Sequence, residues 1–402
     1  MEEIIHFNYI NKDFIDQLPP EVKFNEIAQS FDLDEVTVSI DSAIAALTIY
    51  VQENYTGHFP TKDIPKWTDL KIDFEVDGET GSFLAQKVAL LVFARDVLER
   101  IRPDVAEHLY YWWKWRYAQL AQDLIGQSDK SPTLFNIFLE ASHHLEHSNF
   151  TQQNSTKQLF LCEYIQSALM YYKYDEAIDK VKQLEESHGI RYELSGALGR
   201  RTKHQTYSIP QLYIKVNQKE VKNISSCELD RLYEERIDIV NHVLEDEHSG
   251  TLEQVKFDDE NIQATADGIT TLGSTIGLVK MTVLMKTGPT KDRINEEEQL
   301  TYINFIISNN KAAPVVVAEA LRLRSLLEVH KFAQAHRGMK QLQAIMSLVT
   351  EQNERAFSLQ HFYASKLPPI WDLRRMLCKT FIKMGCIKAA LEEYMGNYSG
   401  SA

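Results

Sequence analysis

Two short stretches of this chain set reactive side chains at spacings that chemistry can use. His143-His144-Leu145-Glu146-His147 follows the pattern H-x-x-E-H, in which two His four residues apart on one helical face bind zinc and the Glu activates a water. A zinc-dependent hydrolase using His143, Glu146 and His147 is the one concrete enzymatic reading open to the sequence. Its context argues otherwise. No third ligand on a second helix can be identified, and Ser148, Asn149 and the polar tract from Thr151 to Thr156 read as a solvated helix end, where the negative end of the helix dipole favours His. No Ser/His/Asp order, phosphate-loop motif or dinucleotide fingerprint can be assembled either, so no catalytic residue, cofactor or resident metal is expected.

The second stretch lies in His188 to Val216, where Gly196, Gly199, Arg200, Arg201 and Lys203 fall within eight positions. Glycine lets a backbone turn with positive φ or approach a neighbour closely, and three adjacent cations can hold a carboxylate or a phosphate. The five residues are the candidate partner-binding residues of a loop. A sharp turn between two helical layers, with its cations merely solvated, explains the same letters, and both readings stay open at this level.

The elements that must position these residues read as helices. Ile40, Ile44, Leu47 and Val51 recur at three or four residues, as do Val88, Leu91, Val97, Leu98 and Ile101, the spacing of an amphipathic helix. Tyr110, Tyr111, Trp112, Trp113, Trp115 and Tyr117 cover every side of one helix. Such a helix is expected to be core rather than a stacking platform for a ligand. The one hint of extended chain before the glycine-arginine stretch is the alternation from Lys71 to Gly81. Further on, Gly273 and Gly277 sit in an apolar helix and suggest close packing. Arg322, Arg324, Lys331, His336, Arg337 and Lys340 form the most basic half-face, expected to be a solvated exterior.

Composition bounds the function. With 43 basic and 57 acidic residues the net charge is −14, which argues against direct nucleic-acid binding and against an anionic membrane surface. Four cysteines without a C-x-x-C suit buried thiols in a reducing cytoplasmic compartment, with the nucleus also open. The segment from Ile269 to Met285 is interrupted by four Thr and Lys280, too polar for a membrane span.

Tetratricopeptide-like hairpins are read at 157–187, from Tyr164, Ala168, Tyr174, Ala177 and Val181, and at 368–398, from Leu377, Cys378, Phe381, Gly385, Ala390 and Tyr394. The words Leu194-Ser195-Gly196-Ala197-Leu198-Gly199-Arg200-Arg201-Thr202-Lys203 and Gln211-Leu212-Tyr213-Ile214-Lys215-Val216 resemble the central signature of the tetratricopeptide repeat protein 27 family. That family includes fungal members needed for cell-wall maintenance. The sequence departs from the pattern at Arg200, where Lys is usual, and at His204, where an aromatic is usual. Tyr111-Trp112-Trp113 and the segment from Trp371 onward extend the resemblance over most of the chain, which looks like the N-terminal half of such proteins.

The expected fold is all-α, an α-solenoid of stacked helical hairpins that is tetratricopeptide-like at its C-terminal end. Residues 1–150 form an N-terminal helical region around the aromatic helix. Residues 151–244 form the first repeat-like hairpin, the glycine-arginine loop and a following helix from Cys227 to Leu244. Residues 245–262 are an acidic linker, and 263–402 are C-terminal helical repeats. The resemblance implies a non-enzymatic protein-binding scaffold or adaptor that assists chaperone-linked assembly of multiprotein or splicing ribonucleoprotein complexes. Its partners would then be proteins, chaperone machinery and its clients among them.

Overall fold

The periodic segments fold into antiparallel helical hairpins. The protein is represented by a computed structural model that describes residues 15–34, 36–57, 64–101, 107–126, 130–147, 154–218, 250–262, 269–289, 292–331, 334–350, 359 and 361–399. Helix α1 (Ile40–Val51) packs on α2 (Val88–Arg100), α3 (Glu107–Ile125) on α4 (Pro132–His147), and α5 (Asn154–Met170) on α6 (Tyr174–His188). Beyond the middle of the chain, α7 (Thr271–Thr287) pairs with α8 (Arg293–Ser308) and α9 (Pro314–Glu328) with α10 (Ala335–Thr350). A single turn, α11 (Phe362–Ser365), precedes the last hairpin of α12 (Ile370–Lys383) and α13 (Ile387–Ser399). Buried apolar side chains from Ile15 to Ala390 form one continuous cluster, as stacked hairpins do when each covers its neighbour. This is the helical repeat solenoid expected, with small antiparallel sheets added to it.

Local chemistry sets the helix ends. The Thr270 hydroxyl accepts from the Gly273 amide at 3.0 Å and the Asp292 carboxylate from the Ile294 amide at 3.2 Å, each satisfying an amide that the first helical turn leaves without an intrahelical partner. Pro314 opens α9, where a missing N–H costs nothing. In the last hairpin Leu377, Cys378, Phe381 and Ala390 are buried as the repeat pattern requires, and Gly385 makes the turn with φ +78°. Tyr394 departs from the pattern and is exposed, as are Ile387 and Leu391 on the same helix.

Several of the largest fully buried side chains, Trp112, Trp115 and Phe160, lie where α3 meets α5. All six aromatics of α3 are buried, which bears out the core reading. Trp115 donates its indole N–H to Ser167 Oγ at 3.0 Å. Trp112 donates to Glu163 Oε2 at 2.7 Å, and Arg116 forks onto the same carboxylate at 3.1 and 2.6 Å. The guanidinium lies between the Trp112, Trp113 and Tyr363 rings, 4.8, 4.7 and 4.5 Å from their centres. A charge taken this far from water is held by a bidentate partner and by ring faces that attract cations.

Three expectations are corrected. The stretch Leu194 to Thr202 is a strand and not a loop: it belongs to β5 (Ile190–Thr202), the middle of a three-stranded antiparallel sheet with β6 (Ile209–Gln218) and β7 (Thr251–Phe257). Strand β7 also occupies part of the supposed linker at 245–262. The helix expected from Cys227 to Leu244, and Glu245 to Glu247, lie outside the described residues. Thirdly, the basic half-face is largely interior. Arg324 and Arg337 are buried, and Arg322 forks onto buried Glu319. The alternation from Lys71 to Gly81 does form a strand pair, β3 (Glu75–Val76) with β4 (Glu79–Thr80), and a further pair joins β1 (Lys23–Asn25) to β2 (Ser30–Asp32).

Candidate partner-binding surface

The sheet meets α7 at Tyr192. Tyr192 of β5 sits where Gly273 and Gly277 leave room; a Cβ at Gly273 would be 3.3 Å from the Tyr192 hydroxyl, which itself donates to the Gly273 carbonyl at 2.6 Å. Gly273 thus lets the strand approach, while at Gly277 a Cβ would first meet Ile306 of α8 at 3.6 Å and then the Tyr192 ring at 3.9 Å, so that glycine serves helix and strand packing together. Lys280 clamps the same junction, donating to Glu185 Oε1 at 2.6 Å and to the Tyr192 carbonyl at 2.8 Å.

Of the five candidate residues, the two glycines are extended. Neither has a left-handed φ, so they are not there to turn the chain. Gly199 is needed for close approach: a Cβ there would lie 2.8 Å from the Lys256 carbonyl of β7, a contact that forces strands apart. At Gly196 the nearest atom would be 3.8 Å away, so a side chain would fit. The three cations divide as well. Arg201 is committed to Glu297 of α8 at 2.6 Å, while Arg200 and Lys203 are exposed. The sheet therefore sets Arg200 opposite Lys256, which lay hidden in the supposed linker, with Lys203 just past the end of β5. Its signal was present in Thr251 to Phe257, where Val255 and Phe257 alternate with Gln254 and Lys256.

A cleft of about 840 Å³, counted out to its open mouth, separates β6 and β7 from α8, α9 and α10. Leu212, Ile214, Leu300 and Phe305 give it an apolar wall. Its charged lining is three arginines, Arg201, Arg324 and Arg337, against Glu297 and Glu328. Glu328 anchors the floor, accepting from both forks of Arg337 and from Gln341 Nε2 at 3.2 Å. Arg324 reaches Asn304 Oδ1 at 3.2 Å and Gln341 Oε1 at 3.3 Å. These bonds tie α8, α9 and α10 together and fix the wall on which the sheet leans.

The H-x-x-E-H residues lie at the end of α4 and are exposed. The His143 and His147 rings are 4.6 Å apart, yet His147 Nδ1 donates back to the His143 carbonyl at 2.8 Å and Glu146 is paired with Lys180. Among the described residues no group of three His, Cys, Asp or Glu side chains is placed to hold a metal. His144, the residue between, is stacked on Tyr111 at 4.0 Å. Replacing His143 and His147 together by Ala is expected to leave the melting temperature and partner recovery unchanged. Stoichiometric zinc in the wild type, absent from that variant, would reverse the assignment.

No described helix is long and apolar enough to cross a membrane. No family model and no solved structure matches the chain. Curated proteins do match. The TPR repeat-containing protein C19B12.01 of Schizosaccharomyces pombe is 24% identical over 415 residues, covering 88% of this chain and 49% of that protein. The tetratricopeptide repeat protein 27 homolog of Dictyostelium discoideum is 25% identical over 414 residues, covering 90% of this chain and 46% of its own. Over about nine-tenths of its length this chain is similar to proteins named for tetratricopeptide repeats. A shorter match, 27% over 129 residues and 29% of the chain, joins it to the essential for maintenance of the cell wall protein 1 of Saccharomyces cerevisiae. The chain spans about half the length of the two longer-matching relatives, and their shared repeat naming agrees with the stacked hairpins described above.

Proposed function

We propose that this chain is a non-enzymatic scaffold that binds other proteins, with the β5–β6–β7 sheet and the flanking cleft as its contact surface. The observation that supports this reading is the sheet itself, three strands set into a run of helical hairpins and exposing cations and apolar side chains. Helices close one side of it through Tyr192, and the other end carries Arg200, Lys203 and Lys256 outward. The relatives, named for tetratricopeptide repeats, are in keeping with a helical-repeat interaction protein. Assembly of multiprotein or splicing ribonucleoprotein complexes with chaperone help is the finer reading, and it rests on the family resemblance.

Affinity purification of the chain from its own cells, read by mass spectrometry, tests both levels. A reproducible set of proteins should be retained, and chaperone components among them would support the finer reading. Recovery of no protein above an unrelated bait would sink the scaffold assignment.

A further inference from the structure

We propose that the sheet surface around Arg200 and Lys256 binds an acidic segment of a partner protein, one with Leu- or Phe-type side chains between its carboxylates. The proposal deepens the scaffold reading and rests on it.

The strand register carries the argument. Arg200 of β5 stands directly opposite Lys256 of β7, and directly opposed residues hold their Cβ atoms only about 5 Å apart. Like charges in that position destabilise a sheet. At the other end of the same sheet the opposed charges are complementary, with Glu193 facing Lys215. Neighbouring cations are also matched, Arg201 by Glu297 at 2.6 Å and Arg191 by Glu193 at 3.3 Å. Among the described residues no carboxylate lies within ion-pair distance of Arg200, Lys203 or Lys256. In a chain with 57 acidic and 43 basic residues, two directly opposed cations without an ion-pair partner are not explained by composition; the neighbouring Asp258 carboxylate is taken by the Ser208 hydroxyl. The repulsion of the two cations costs the sheet stability, a cost that a carboxylate from outside the fold would relieve.

The surroundings define the partner. Leu198 is two residues from Arg200 and so shares its face of the strand; it is 54% exposed and stands opposite exposed Pro210. Tyr207 and Ile209 at the hairpin end are 73% and 41% exposed. Carboxylates would meet the cations while an aliphatic or aromatic side chain covers Leu198, a match of charge and apolar surface that sets specificity. A nucleic acid fits less well. Three cations compete poorly with the repulsion of a chain at net −14, and no array of rings is present on which successive bases would stack.

The test uses the whole chain as wild type and as Lys256→Glu. A random-peptide display library selected on the wild type should enrich sequences in which Asp or Glu flanks Leu or Phe. By fluorescence anisotropy the best of these should bind the variant at least about tenfold more weakly, the scale of one charge-assisted contact. The same substitution places an acid opposite Arg200, so the melting temperature should rise. Loss of binding with a gain in stability is a pairing that a merely structural lysine cannot give. Leu198→Ser should weaken the peptide too, with the melting temperature unchanged. Absence of acidic enrichment, equal affinity for the amide (Asn/Gln) version of the peptide, tighter binding of a single-stranded RNA, or a variant that loses stability along with binding would each overturn the proposal. Purification from cells separates this from the broader reading: a partner set that Lys256→Glu leaves intact removes the acidic-segment site alone, whereas an empty set removes the scaffold.

Discussion

Glu163→Ala is expected to cost about 3–5 kcal/mol of folding stability, the range for stripping one partner from a buried ion pair. The carboxylate is 1% exposed and its Arg116 partner 8%. Removing it leaves the guanidinium between three rings without a counter-charge and takes away the acceptor of the Trp112 indole. The ring contacts retain a small part of the stabilisation. Urea unfolding should show the midpoint falling sharply with little change of slope. Replacing both partners at once, Arg116→Met with Glu163→Leu, should recover most of the loss, because two apolar groups carry no desolvation cost. A single variant that loses less than about 1 kcal/mol would mean that water reaches this pair.

Glu328→Ala is expected to be comparably damaging, again about 3–5 kcal/mol, because it leaves two arginines, Arg324 and Arg337, buried side by side under the cleft. The contrasting substitution is Glu297→Ala. Its pair with Arg201 is about one-third exposed on both sides, so water screens it and the loss should stay below about 1 kcal/mol. Thermal unfolding of the two variants in parallel gives the order. If Glu297 proved the more costly, the helical floor under the sheet would not be what holds the cleft open.

Most of the helical frame was legible in the sequence because its signals are local. The spacing of Ile40, Ile44, Leu47 and Val51 reports a helix without knowledge of what it packs against, and α1 covers those residues. The aromatic density of α3 likewise implied burial on all sides. The sheet was harder to read for a physical reason. Strand β5 is interrupted by glycine and loaded with cations, so it shows no clean alternation; its strand character comes from hydrogen bonds to β6 and to the distant β7. Strand β6 did alternate, with Leu212, Ile214 and Val216 on one side of the chain, and with the shorter alternation of β7 it was the available clue.

Charge misled in the same way. A row of arginines reads as an exterior face until its surroundings are placed: Glu328 meets Arg337 only once α9 has packed against α10, while Glu319 pairs with Arg322 three residues on along the same helix and is carried inward with it, where Met376 of α12 lies against Arg322. The candidate site residues show the same split. Their chemistry, cations beside glycine, was visible in the letters, but which cation is spent on the fold and which is left outward was decided by a carboxylate on α8 nearly a hundred positions away.

The placement of the tryptophans divides the molecule optically. Trp67, Trp112, Trp113 and Trp115 are buried, the fifth, Trp371, lies at the start of α12, and none falls within β5, β6, β7 or the wall of the cleft. Intrinsic emission will therefore follow the loosening of the α3–α5 core closely while staying nearly silent when something settles on the sheet. A titration that leaves the emission unmoved is compatible with full occupancy there, so occupancy must be read from a dye on the ligand or from a reporter introduced on the strands.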